Sequence, residues 1–354
     1  MKLNTAKKLT AGALALSMMF AMATPAFAVS EAVPSTDPHI TKKYTATNPN
    51  TTSPEETFTF TAVATNVKNA GVNAAGNAIT AADAPQLTIE AAAYGSGDAT
   101  TTGADKTLVI SHTTPFPNVG IYYYTVTEAA SNKAGVTTHE EDMLLKVSVI
   151  YNDAGTALEE KYAFYTAMDD KGEGKGTKNS AVENTYSAGS LEVKKVVTGN
   201  LGDKNKKFNV TVTFTAPADK TVAGTISYSE GGVQKTIAPS DWKDGVVTKE
   251  IAVAHNDIVT FTNIPYGVTY TVVEDDYTKA ADGTTKDYDE ANYNFTDSNK
   301  KIDSATDTVT ITNNKGDSNI DTGVILDNAP YMLMLTVVAA GAMTLVIKKR
   351  REEE

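Results

Sequence analysis

Residues 124–128 read YTVTE and residues 270–274 read YTVVE, each a few residues after a glycine. This alternation is typical of β-strands, in which every second side chain points to the same face. Similar Thr-, Val- and Tyr-rich runs, separated by Gly, Asn, Asp and Pro, continue along the chain without a long amphipathic helical pattern. The sequence therefore predicts an all-β protein built from immunoglobulin-like β-sandwiches.

Two further segments repeat in the same order. A strand ending in lysine precedes each pentapeptide, ITK at residues 40–42 and VKK at residues 193–195. A strand ending in asparagine closes each half, VEN at residues 182–184 and ITN at residues 311–313. This order predicts two homologous modules in tandem. The first module spans residues 29–187, and the second module spans residues 188–316.

Three polar residues of each module share a strand face with Val, Ile, Leu or Tyr, so they are predicted to point into an apolar layer. They are Lys42, Glu128 and Asn184 in the first module and Lys195, Glu274 and Asn313 in the second. Burial of such groups is costly unless they satisfy one another, and it favours the neutral forms of an amine and a carboxyl. A neutral lysine could attack the asparagine side-chain carbonyl while the glutamate moves protons, which would release ammonia and leave an isopeptide cross-link.

On these residues the chain resembles the streptococcal pilin isopeptide-linkage domain, present twice as in the two-domain backbone pilin of group A streptococci. The resemblance covers nearly all of both modules, including LEVKKVVTG at residues 191–199 and VEDDY at residues 273–277. It is closer in the second module, because the first lysine strand follows Pro38 and His39 and has less apolar context.

This resemblance implies two intramolecular bonds and the residues that promote them. Lys42 would be joined to Asn184 with the help of Glu128. Lys195 would be joined to Asn313 with the help of Glu274. The alternatives, should a strand register differ by one residue, are Lys43, Lys194 and Asn314.

The N-terminus is predicted to be a secretory signal peptide, residues 1–28. Three lysines precede an apolar run that ends at the sequence AFA, residues 26–28. The run is short and is broken by Pro25, which favours cleavage over a permanent membrane anchor. The mature chain is therefore expected to be secreted.

The C-terminal residues 317–354 resemble a sortase sorting signal of the LPXTG type. The motif NIDTG at residues 319–323 precedes an apolar stretch at residues 329–347 and a basic tail at residues 348–354. The resemblance implies cleavage between Thr322 and Gly323 by a pilin sortase of class B or C. Thr322 would then be joined to the next subunit or to peptidoglycan, so the chain spans a membrane only before cleavage.

Composition limits the remaining chemistry. The chain has no cysteine, which excludes a Cys nucleophile, a thioester and disulfides, and its net charge of −12 argues against nucleic-acid binding. The four histidines are scattered singly and are expected at the surface or in loops, so no metal site is predicted. No phosphate loop, dinucleotide fingerprint or serine-hydrolase elbow is present. We therefore predict no cofactor and no enzymatic activity beyond self-linkage.

A shaft subunit needs a second lysine, exposed enough to attack the sortase-bound Thr322 of its neighbour. In the similar backbone pilin this lysine lies shortly before the terminal strand of the first module. The corresponding Gly- and Lys-rich stretch, residues 169–179, contains Lys171, Lys175 and Lys178. The family spacing favours Lys178, with the other two as alternatives. A flexible hairpin with solubilising lysines is the simpler interpretation of the same stretch.

Two functions fit these observations. The first is a structural subunit of a pilus, with copies of itself, minor pilins, a sortase and peptidoglycan as partners. The second is a minor pilin or a singly wall-anchored adhesin that uses the same scaffold to bind host surface ligands. The small number of modules, and the lack of a metal-dependent adhesion motif, favour the first function.

Overall fold

The structure, a computed structural model, describes residues 38–316. The predicted signal peptide and the predicted sorting signal, with Thr322 and Gly323, lie outside these residues. In the part described, 22 strands and two three-residue 3-10 helices form the secondary structure. The 3-10 helices are Ala81–Asp83 and Pro239–Asp241, and no helix in this part is long and apolar enough to span a membrane.

Thirteen strands precede Ser187. They are β1 (His39–Ala46), β2 (Glu56–Phe58), β3 (Phe60–Lys68), β4 (Leu87–Ile89), β5 (Ala92–Tyr94), β6 (Ala104–His112), β7 (Gly120–Glu128), β8 (Val136–Thr137), β9 (Met143–Tyr151), β10 (Leu158–Tyr165), β11 (Ala167–Met168), β12 (Gly174–Lys175) and β13 (Val182–Tyr186). Their two main sheets have the orders β4-β6-β1-β13-β8 and β10-β9-β7-β3, and β2-β5 and β11-β12 form two short two-stranded antiparallel sheets.

Nine strands follow Ser187. They are β14 (Ala188–Thr198), β15 (Phe208–Thr215), β16 (Ile226–Glu230), β17 (Val233–Ile237), β18 (Val246–Val253), β19 (Ile258–Pro265), β20 (Thr269–Glu274), β21 (Asn292–Phe295) and β22 (Thr306–Asn314). They form one sheet in the order β17-β16-β19-β14-β22-β21 and a second in the order β18-β15-β20. The named strands on either side of Ser187 pair only with strands of their own side in the described chain.

Each side has its own apolar core between its two main sheets. The first core contains buried residues from Ile40 to Ala188, and the second is built from residues between Leu191 and Ile311 together with Ala134. The strands alternate buried and less buried side chains, as in β1 and β22, because each sheet presents one face to the core. The prediction of an all-β sandwich fold is confirmed. The exact limits of the two modules stay predictions.

The same parallel pairing occurs in both modules. In the first module β1 runs parallel to β13, and Lys42 lies opposite Val182, two residues before Asn184. In the second module β14 runs parallel to β22, and Lys195 lies opposite Ile311, two residues before Asn313. The lysine and the asparagine therefore occupy equivalent, diagonal positions on neighbouring strands of each module.

Only Ser187 separates β13 from β14, and its backbone is held from both sides. Its N–H donates to Gly135 O at 2.8 Å, and its carbonyl accepts from the Tyr266 N–H at 2.9 Å. Gly135 has a φ of +78°, and a Cβ at this position would lie 2.5 Å from Ser187 O. A residue with a side chain is thus excluded there by both backbone strain and collision.

Candidate functional site

The second module buries a cluster of one lysine, one glutamate and one asparagine between its sheets. Lys195 on β14 and Asn313 on β22 come from one sheet, and Glu274 on β20 comes from the facing sheet. Lys195 Nζ lies 2.7 Å from Glu274 Oε1 and donates to Asn313 Oδ1. Asn313 Nδ2 donates to Glu274 Oε2 at 2.6 Å. The side chains of Lys195 and Glu274 are 0% exposed.

Aromatic residues close this cluster off from water. The Phe208 ring centroid lies 4.2 Å from Lys195 Nζ. Tyr277 and Tyr288 pack edge-on against Phe208, with centroid separations of 4.9 and 5.2 Å. Burial lowers the pKa of Lys195 below its ordinary value, and the hydrogen bond and charge of Glu274 oppose part of that shift.

The first module contains an equivalent cluster with one additional group. Lys42 Nζ lies 2.9 Å from Glu128 Oε1, and Asn184 Nδ2 donates to the same oxygen at 2.9 Å. The backbone N–H of His139 donates to Asn184 Oδ1 at 2.9 Å and to Glu128 Oε2 at 3.0 Å. The Lys42 and Glu128 side chains are 0% exposed. Glu128 thus contacts both nitrogen atoms that would exchange in a cross-linking reaction.

Burial also changes the ionisation of Lys42. It lowers the pKa of this amine to about 8, although the charge and hydrogen bond of Glu128 and the charge of Glu183 act in the opposite direction. Such a shift raises the neutral fraction near pH 7 from roughly one amine in several thousand to roughly one in ten. The neutral amine is the nucleophilic form, so burial increases the fraction of Lys42 that could act as a nucleophile.

The register alternatives lie on the outer faces of the same strands. The Lys43 side chain is 31% exposed and lies 3.7 Å from Glu183, and Lys194 is similarly accessible and pairs with Glu192 at 2.9 Å. Asn314 Nδ2 donates to Asp289 at 2.7 Å. None of the three is part of either buried cluster as the structure describes them. The strand register therefore brings together the six residues that the sequence favours, and their roles stay predictions.

The stretch with the linkage-lysine candidates is a hairpin attached to the first module. Glu173 accepts from Lys68 at 2.6 Å and from Lys146 at 2.9 Å, and both ammonium groups lie over the Tyr123 ring. These hydrogen bonds hold the pKa of Glu173 at about 2, well below its ordinary value. The acid is thus ionised over the physiological pH range and fixes the hairpin to β3 and β9.

Lys178 itself precedes a residue that is bound to the edge of the sheet. The Asn179 N–H donates to Phe164 O at 2.7 Å, and Asn179 Oδ1 accepts from the Phe164 N–H at 2.9 Å. Lys178 is half-buried, whereas Lys171 and Lys175 are exposed. No ion pair within residues 38–316 involves any of these three lysines.

The four histidines of residues 38–316 do not form a cluster typical of a metal site. His39 and His112 lie on β1 and β6, and His255 accepts a hydrogen bond from the Val197 N–H through Nδ1 at 2.9 Å. Among the residues that the structure describes, no group of three or more His, Asp or Glu side chains could hold a metal ion. His139 differs from the others, because its backbone reaches the first cluster. The sequence predicts only that it lies at the surface or in a loop, because no pattern of side chains reports a backbone N–H.

Comparisons with known proteins give one family model, one pilin of similar sequence and several pilin structures of similar fold. A family model for a domain of unknown function (DUF7601) matches residues 189–315. A pilin from Streptococcus pyogenes serotype M1 is 28% identical over 247 residues, 66% of this chain and 69% of the relative. The structure of the major pilin protein T3.2 from S. pyogenes serotype GAS13637 is 19% identical, with a TM-score of 0.50. The chain is similar to streptococcal major pilins.

The shared fold with the T3.2 major pilin covers 79% of this chain and 99% of the pilin structure. A crystal structure of another major pilin from S. pyogenes is 24% identical, covers 79% of this chain and 98% of that chain, and has a TM-score of 0.48. The fold shared with the T3.2 structure therefore extends over most of the residues described. It agrees with the predicted all-β fold.

Proposed function

We propose that this protein is a structural subunit of a sortase-assembled cell-surface pilus, stabilised by Lys42–Asn184 and Lys195–Asn313 isopeptide bonds. The observation that carries the proposal is the pair of buried Lys–Glu–Asn clusters at the same position in both modules. A buried ion pair alone contributes little net stability, because desolvation offsets most of its attraction. Two equivalent clusters are better explained by a reaction than by electrostatic stabilisation.

In this reaction Glu128 and Glu274 promote bond formation in their own modules. Each carboxyl contacts the attacking lysine nitrogen and the departing asparagine nitrogen, so one group can move a proton from the first nitrogen to the second. The step occurs once per module and needs no cofactor or external enzyme. The protein is therefore a structural component rather than a turnover enzyme, with residues 29–187 and 188–316 as its two domains.

Polymerisation uses a different lysine. A pilin sortase would cleave between Thr322 and Gly323 and transfer Thr322 to a lysine of the next subunit or to peptidoglycan. Lys178 is the preferred acceptor, because it best fits the family spacing and the residue after it is anchored to β10. Other copies of this chain and minor pilins are the expected partners, and the mature product is attached to the cell wall.

Mass spectrometry tests the cross-links. Residues 29–322, expressed alone, should have an intact mass lower than the sequence mass by two ammonia molecules. Glu274→Ala and Glu128→Ala should each lose only one ammonia molecule, because each variant lacks the proton-transfer group of one module. A fragment whose mass equals that of the unmodified sequence would exclude the proposed chemistry.

Immunoblots of wall extracts test the polymer. In a Gram-positive host with the cognate sortase, the intact protein should give a ladder of high-mass bands, and both Lys178→Ala and Thr322→Ala should abolish it. Lys171→Ala and Lys175→Ala are the matched controls and should preserve the ladder. A single wall-linked band from the intact protein would instead favour a minor pilin or an anchored adhesin. If the ladder persists in Lys178→Ala and is lost in Lys171→Ala or Lys175→Ala, the lysine replaced in that control is the acceptor.

A further inference from the structure

The segment between β8 and β9, residues 138–142, crosses the end of the first module next to Asn184. Strand β8 pairs with β13, and Thr137 lies opposite Thr185, so the chain that leaves β8 passes beside the Asn184 side chain. The His139 imidazole Nε2 lies 2.7 Å from Thr166 O, a contact that requires the proton on Nε2. The segment is thus anchored by a strand on one side and by an imidazole on the other.

This anchoring directs one backbone N–H at the reacting amide. The His139 N–H lies 2.9 Å from Asn184 Oδ1 and 3.0 Å from Glu128 Oε2. In the second module no backbone N–H described for residues 38–316 reaches Asn313 Oδ1, which accepts from Lys195 Nζ instead. The two modules therefore differ at the oxygen that would become negatively charged during attack.

We infer that the backbone N–H of His139 is the oxyanion donor for closure of the Lys42–Asn184 bond. The inference rests on the proposed cross-linking function and adds a catalytic group to it. The neutral Lys42 Nζ forms a bond to Asn184 Cγ, and the carbonyl π electrons move to Oδ1, where the N–H stabilises the charge. The carbonyl then re-forms, the Cγ–Nδ2 bond breaks, and Nδ2 leaves as ammonia with one proton passed from Nζ through the Glu128 carboxyl.

A fixed donor of this kind is effective because the cluster is closed to water. The side chains of Lys42 and Glu128 are 0% exposed, so no solvent molecule would take over the role of the missing hydrogen bond. Loss of one such donor typically slows acyl transfer by roughly 100-fold to 1,000-fold. Loss of the His139 N–H should not affect cross-linking in the second module, because the reacting amide of that module lies in a separate core.

The test replaces the amide at residue 139 by an ester, with the corresponding α-hydroxy acid introduced during in vitro translation, in residues 29–322. This exchange removes the N–H and keeps the imidazole. Glu274→Ala in the same chain prevents cross-linking in the second module. Time-resolved intact mass then reports ammonia loss from the first module alone. The matched control is the same exchange at Glu140, an exposed residue whose N–H has no hydrogen bond among those described.

The ester at residue 139 should slow ammonia loss by roughly 100-fold or more, and the ester at residue 140 should not. His139→Pro removes the same N–H and should give the same result, while trypsin resistance of the first module verifies that each variant is folded. Closure at the parent rate with the ester at residue 139, or equal slowing by both esters, would overturn the inference. If the parent with Glu274→Ala loses no ammonia, the cross-link of the first module is itself refuted, which is a distinct result.

Discussion

Lys195→Ala should lower the free energy of unfolding of the second module by at least about 4–5 kcal/mol, the value expected when a cross-link over a loop of this size is lost. Lys195 and Asn313, the two residues that we propose to be joined, are 118 positions apart in the chain. The variant also leaves the buried Glu274 without its cation, which adds to the destabilisation. The melting temperature of this module should fall by on the order of 15 °C, measured by calorimetry, and trypsin should cleave it faster.

Lys194→Ala is the matched control, since it changes the neighbouring residue on the outer face of β14. Its partly exposed pair with Glu192 contributes at most about 1 kcal/mol, so stability should hardly change. Glu274→Gln separates loss of the cross-link from the unpaired charge that Lys195→Ala leaves on Glu274. It blocks proton transfer while preserving the shape of the side chain, and it leaves no buried carboxylate. An unchanged melting temperature in Lys195→Ala would mean that the second module has no cross-link, and destabilisation by Lys194→Ala alone would contradict the register.

The same substitution should make the subunit extensible under load. In the proposed pilus, load would act on each subunit between its linkage lysine and Thr322, and from Lys178 the chain runs through β13 and Ser187 directly into β14. With Lys195 bonded to Asn313, the force crosses to β22 and bypasses the chain between them. Without the bond, those 118 positions can unravel. The contour length should then grow by roughly 400 Å, at about 3.4 Å per residue.

Force spectroscopy checks this prediction. Lys178→Cys supplies one handle, which is unique because the chain has no cysteine, and a second handle is fused after Thr322. The parent should not lengthen in steps, and Lys195→Ala should show one step of the stated size. Lys42→Ala should add no step, since β1 to β12 lie outside the covalent path from Lys178 to Thr322. Equal lengthening of the parent and of Lys195→Ala would contradict the proposed load path.

Strand alternation, the repeat within the sequence and the family resemblance together were enough to predict the fold class and the residues of both clusters. Alternation along a strand has a period of two, so the residues that share a face with Val193 or Val272 can be identified without knowledge of the partner strand. The repeated order of lysine, glutamate and asparagine then separated these side chains from ordinary strand-end residues. The sequence next to Lys42 offers less apolar context, yet the fold buries Lys42 as fully as Lys195 and brings the rings of Phe58 and Phe60 to 4.8 and 5.8 Å from its Nζ.

Tertiary structure alone decided which atoms meet. The parallel register of β1 with β13 and of β14 with β22 places the reacting groups diagonally, and this register depends on packing between segments distant in sequence. Tertiary contacts also hold the hairpin at residues 169–179, which the sequence alone suggested could be flexible. Glu173 in this hairpin accepts hydrogen bonds from Lys68 on β3 and Lys146 on β9.

The sequence by itself determined an all-β chain with two Lys–Glu–Asn sets, since side-chain chemistry and strand alternation are local properties. The structure decided that the first set includes a backbone N–H from His139 and that the second does not. Every non-proline residue has such a donor, so its presence in a site depends only on where the folded backbone passes.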